Sequence, residues 1–94
     1  MNKRSIIEQI RAHGAVAAHT TGRYVDIVNH LPVKVTMATP IYMAKEKLRK
    51  GDKIAIIDMD ENLAFICTVS QVETSSLSKI QTLSLGKAKK VKIE

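Results

Sequence analysis

The chain has one cysteine, Cys67, no tryptophan, and only three aromatic residues, Tyr24, Tyr42 and Phe65. A single thiol excludes an internal disulfide framework and any metal site that needs several thiolates. Cys67 lies among Phe65, Ile66 and Val69, so it reads as a buried structural residue. Few aromatics also means few platforms on which bases could stack, which leaves Tyr24 and Tyr42. Long apolar runs are absent: none approaches the roughly 18 residues of a membrane span. The N-terminal segment reaches Glu8 and Arg11 too early for the apolar stretch of a signal peptide, so synthesis and residence in a cytoplasm are expected.

Acid is also scarce, with 9 Asp and Glu against 15 Lys and Arg, a net charge of +6. The surplus gathers in residues 45–53, which hold Lys45, Lys47, Arg49, Lys50 and Lys53, and in residues 86–94, which hold Lys87, Lys89, Lys90 and Lys92. Such patches either neutralise phosphates or keep exposed turns and a sheet edge soluble. What remains is ordinary for a folded protein: 45% hydrophobic and 26% charged residues disfavour wholesale disorder. At 94 residues the chain fits one domain with a modest core.

Ser5-Ile6-Ile7-Glu8 has the spacing of a capping box, and Gly14 suits a left-handed helix stop, so a short helix with Ile6, Ile7 and Ile10 on one face is expected between them. Beyond Gly14 the period becomes that of strands. Ala15 to Thr20 and Tyr24 to Val28, joined at Thr21-Gly22, predict a hairpin. Val33, Val35 and Met37 alternate with polar residues as a third strand, which Pro40 interrupts. Residues 41–50 have helix-forming composition. Lys53–Ile57 and Leu63–Val69 are apolar on both faces and flank the acidic turn 58–62. They predict a second hairpin with one face inward and the other against the helix, a partner or a neighbouring subunit. Leu83 and Leu85, then Val91 and Ile93, predict short late strands divided at Gly86.

Chemistry-bearing constellations are weak. His13, His19 and His30 lack the spacing of a shared metal site. Asp58-x-Asp60-x-Asn62 copies the opening of a calcium loop, but Leu63 stands at the sharp-turn glycine position and Val69 at the bidentate-acid position, which indicates a solvated turn. Ser75 and Ser76 have no recognisable base or elbow. No catalytic residue, metal ligand or cofactor is therefore assigned.

The order helix, hairpin, third strand, linking helix and final hairpin matches a five-stranded Greek-key barrel of OB type. Gly14-Ala15-Val16, Gly22-Arg23-Tyr24-Val25-Asp26-Ile27, Lys50-Gly51-Asp52-Lys53-Ile54-Ala55-Ile56-Ile57 and Phe65-Ile66-Cys67-Thr68-Val69 resemble the OB domain of phage tail baseplate and spike-base proteins, the baseplate assembly protein V group. The turn Arg49-Lys50-Gly51-Asp52-Lys53-Ile54 also resembles translation initiation factor 1 and S1-type OB domains.

The expected fold is thus mainly β: a small five-stranded OB-like barrel with a short N-terminal helix over residues 1–72, and a basic, β-prone extension over 73–94. The first resemblance implies a non-enzymatic structural component of a phage tail or related injection apparatus, a baseplate, hub or joining protein, which enters the virion after assembly in the cytoplasm. It would work as a homo-oligomer among other structural subunits, with Ile54, Ile56, Ile66, Leu83 and Leu85 as interface residues. The alternative is an RNA- or single-stranded-DNA-binding protein that uses Arg23, Tyr24, Lys34, Arg49, Lys50 and Lys53 as a basic face. In that reading Tyr24 competes with a plainer role as a tyrosine bridging core and rim.

Overall fold

Ile6 and Ile10 stand one helical turn apart and are almost completely buried, at 2% and 1% exposure. In the computed structural model, which describes residues 3–20 and 33–94, they form the inner stripe of helix α1, Lys3–Ala12. The helix begins before Ser5, so Ser5 sits inside the first turns, where its Oγ accepts from Gln9 Nε2 at 3.3 Å, and does not cap the end. The C-terminal stop falls as expected. Gly14 takes φ +89° and its N–H donates to the Arg11 carbonyl at 2.9 Å, closing a helix end that only glycine enters without strain.

Six strands follow: β1 Ala17–Thr20, β2 Val33–Thr36, β3 Tyr42–Met43, β4 Lys53–Asp58, β5 Leu63–Thr74 and β6 Gln81–Lys92. They form one mixed sheet in the order β2-β6-β5-β4-β1-β3, with β1 parallel to β4 and every other pairing antiparallel. Among the described residues this sheet is open, with β2 and β3 as its end strands, where the sequence suggested a closed five-stranded barrel. The expected hairpin partner of β1, Tyr24 to Val28, lies outside the described residues.

The β4–β5 hairpin forms as predicted. Asp58 Oδ1 accepts from the N–H groups of Asp60 and Glu61 at 3.0 and 3.1 Å, and Asn62 takes φ +53°, a conformation that asparagine tolerates better than most residues. Because side chains alternate along β4, Ile54 and Ile56 point to one face and Ala55 and Ile57 to the other, and all four are fully buried. Ala55 and Ile57 meet α1 through a cluster with Ile6, Ile10, Ala18 and Ile66. Ile54 and Ile56 join Leu48, Phe65, Leu83 and Leu85 on the opposite face, where the chain covers its own sheet. Burying each aliphatic side chain contributes roughly 1.5–3 kcal/mol, so this two-sided core around β4 is the main source of stability.

Residues 41–50 do not form the expected helix. Tyr42 and Met43 pair with Ala18 and Ala17, and the N–H groups of Ile41 and Ala44 donate to the carbonyls of Ala18 and Val16 at 2.9 and 2.8 Å. Pairing along β1 thus outweighs local helix propensity. The segment then delivers Leu48 into the core, where Gln81 clamps it. The Leu48 N–H donates to Gln81 Oε1 at 2.8 Å, and Gln81 Nε2 donates to the Leu48 carbonyl at 2.9 Å.

β5 crosses residue 72 without a break, and β6 runs through Gly86 as one strand instead of two. Irregular register between Ile66 and Thr68 and between Val69 and Gln71 marks bulges, which bend and twist the long hairpin. At the second of these, Ser70 Oγ donates to the Ser84 carbonyl at 3.0 Å.

Candidate interaction surfaces

The five residues assigned from the sequence to a subunit interface lie inside the chain. Ile54, Ile56, Leu83 and Leu85 are 0% exposed and Ile66 is 5% exposed. The sequence reading left one apolar face of the hairpin outward, but α1 covers one face and Leu48 with its neighbours fills the other. Any contact surface is therefore made by other residues.

Exposed apolar side chains occur at turns. Met59 in the β4–β5 turn is 50% exposed, while Leu77 and Ile80 in the β5–β6 turn are 97% and 36% exposed. The β5–β6 turn is held by its own hydrogen bonds: Ser75 N–H to the Ile80 carbonyl and Lys79 N–H to the Ser75 carbonyl, both at 2.9 Å, and Ser78 N–H to Ser75 Oγ at 3.3 Å. Leu77 is thus presented to solvent by an ordered tip. The sequence marked this stretch as polar, and nothing in its pattern distinguished Leu77 from a core residue.

Of the six residues of the alternative basic face, Arg23 and Tyr24 lie outside the described residues. Lys34, Arg49, Lys50 and Lys53 are all exposed. Lys34 sits 3.7 Å from Glu73 in a solvated ion pair of little energetic weight. Arg49 and Lys50 lie on the turn before β4, organised by Asp52, whose carboxylate accepts from Lys45 Nζ at 2.6 Å and from the Arg49 N–H at 2.8 Å. Partial burial opposes ionisation of Asp52, but the Lys45 ammonium and the Arg49 N–H outweigh it and hold the carboxyl below its usual range.

Lys34 and Lys53 share a sheet face. Lys34 is opposite Ser84 and Lys53 is opposite Thr68, which is in turn opposite Gly86, and residues 84 and 86 point the same way along β6. Lys89, opposite Ile66, is on this face as well, because Ile66 packs with Ala55 and Ala55 follows Lys53 by two residues. Lys90 and Lys92, opposite Phe65 and Leu63, are on the other face. The C-terminal basic run is therefore split across the sheet, which a count along the sequence does not show.

Reactive chemistry is sparse. Among the described residues no three His, Cys, Asp or Glu side chains are grouped to hold a metal ion. His13 is exposed, and the half-buried His19 has a buried Nδ1 with no hydrogen-bond partner among them. Asp58, the first position of the calcium-like pattern, is occupied in capping its own turn. Burial pushes the Cys67 thiol up to about 11, where it is protonated and unreactive at neutral pH. Tyr42 is half-buried against the helix-side cluster.

Two glutamines went unnoticed in the sequence. Gln81 could have been found by its spacing from Leu83 and Leu85, which places it on their inward face. Gln9 secures the chain end: its Nε2 donates to the Glu94 carbonyl at 2.7 Å and its Oε1 accepts the Glu94 N–H at 2.8 Å. No described helix is long and apolar enough to cross a membrane. Compared with known proteins, the chain matches no family model, no curated protein and no solved structure.

Proposed function

We propose that this chain is a non-enzymatic structural subunit that works by packing against copies of itself and neighbouring subunits, as a baseplate, hub or joining component of a phage tail or related injection apparatus. The observation that carries the reading is the β5–β6 tip. Leu77 and Ile80 are exposed on a turn that is already ordered by its own hydrogen bonds. A preorganised apolar contact loses little conformational entropy on docking, so its burial translates efficiently into association. The resemblance of the Gly51-Asp52-Lys53-Ile54 turn and the Phe65–Val69 strand to tail-hub OB domains supports the identity of the assembly. In this reading the architecture is an OB-like Greek-key barrel. The β4–β5 hairpin and the helix-covered face agree with that plan, and the six-stranded open sheet departs from it.

Sedimentation velocity across a range of concentrations tests the proposal. A discrete oligomer is expected, persisting at high salt and dissociating in Leu77→Glu. A chain that sediments as a monomer at every concentration, or an oligomer indifferent to Leu77→Glu, overturns the tip as the contact.

A further inference from the structure

We infer that the half of the helix-side sheet face left uncovered by α1 binds the phosphodiester backbone of a nucleic-acid strand, with Lys34, Lys53 and Lys89 around a floor of Ser84, Gly86 and Thr68. The register supplies the geometry. Lys34 is one strand and two residues from Gly86, Lys53 is two strands away, and Lys89 is three positions along β6. With strands about 4.8 Å apart and about 3.4 Å per residue, each lysine's backbone lies within about 10 Å of Gly86.

The floor is low and polar. Among the described residues, no atom lies within 4 Å of where a side-chain carbon at Gly86 would sit, and Ser84 and Thr68 beside it are only partly exposed. All three lysines are exposed. The Lys53 stem runs past Gly14 at the end of α1, 3.5 Å from where a side-chain carbon there would sit, which helps fix its direction. Glu73, opposite Thr82 and on the same face as Ser84, is 3.7 Å from Lys34.

This arrangement selects the occupant. A small anion is retained by a concave pocket that encloses it, whereas Lys34, Lys53 and Lys89 are exposed and spread over four strands of the sheet. A polymer with regularly repeated negative charge instead meets several spaced ammonium groups at once and releases counterions as it does so. The described residues of the floor include no aromatic side chain on which bases could stack, so their contribution is to the backbone and indifferent to sequence. The structural proposal above uses the hairpin tip and stands or falls separately.

Fluorescence anisotropy with a labelled oligothymidylate at rising salt is the test. Each phosphate neutralised on a single strand contributes about −0.7 to the slope of log affinity against log salt, so three lysines give a slope near about −2. Lys34→Gln with Lys53→Gln should make the slope shallower by about 1.4. Lys90→Gln with Lys92→Gln, equal in charge but on the other face, should leave it unchanged. Glu73→Gln should tighten binding, and Gly86→Asp, which puts a carboxylate in the centre of the floor, should abolish it. Circular dichroism of each variant establishes that the fold is retained. Equal losses for the two lysine pairs would show a response to net charge alone and overturn the site. Absence of salt-dependent binding, or binding to phosphatidylserine vesicles without binding to the oligonucleotide, would overturn it as well.

Discussion

Replacing Gln81 with methionine keeps the length of the side chain and removes both arms of its clamp on Leu48. Gln81 is 8% exposed and Leu48 2% exposed, so the Leu48 N–H and C=O lose partners in a place where water does not readily replace them. Each buried backbone group left unsatisfied costs about 1–3 kcal/mol, which gives roughly 2–6 kcal/mol for the pair. Against a total of about 5–14 kcal/mol for a domain of this size, that is a large fraction. The Gln81 carbonyl also accepts from the Met37 N–H at 2.9 Å, but that backbone bond survives the substitution, so the loss isolates the side chain. Urea denaturation followed by circular dichroism should show a lower midpoint with an unchanged slope, and a melting temperature lowered by at least about 8 °C. Gln71→Met, on an exposed stretch of β5, serves as the control and should fall within about 0.5 kcal/mol of wild type. A Gln81→Met protein as stable as that control would refute the reasoning and mean that Leu48 is held by its side chain alone.

Gly14→Ala should destabilise by about 1–2 kcal/mol in the same assay, because φ +89° strains any residue with a side chain while the Lys53 stem leaves ordinary room at 3.5 Å. Asp52→Asn should cost about 0.5–1 kcal/mol at neutral pH. The Asp52 carboxyl is held below its unfolded value, so its contribution is present above pH of about 4 and fades as pH falls through the lower folded value, where variant and wild type should converge in acid melts. Cys67 behaves in the opposite sense: its folded value of about 11 exceeds the usual 9.0, so wild type should lose stability relative to Cys67→Ala as pH rises from about 9 to about 11. Alkylation of Cys67 in the native protein at pH 8 should be far slower than in urea.

Local signals were legible in the sequence, and non-local ones were not. Gly14 and the Ile6–Ile10 spacing announce α1, and the acidic turn 58–62 between two apolar runs announces the β4–β5 hairpin, because each depends on neighbours in the chain. Residues 41–50 were misread because their helix-forming composition competes with backbone partners offered by β1, which is about 25 residues away. Gly86 looked like a divider, yet β6 takes up an extra residue in a bulge of its own just past Gly86, where Lys87 has φ +50°, and continues as one strand. The surface was harder still. Ile54, Ile56, Ile66, Leu83 and Leu85 have the composition of an interface, and only the packing of α1 and the insertion of Leu48 show that one chain buries them. Lys34, Lys53 and Lys89 are scattered in sequence and meet only through register.

Amide hydrogen exchange of β4, followed as the protein is diluted, separates burial within one chain from burial between chains. The N–H groups of residues 54–57 lie in the interior strand of the sheet, beneath side chains that are 0% exposed in a single chain. Their protection should therefore match the global unfolding free energy and stay constant on dilution. If these amides are protected only at concentrations where the chain self-associates, the apolar faces of β4 are covered by neighbouring subunits, and the two-sided core described for one chain is wrong.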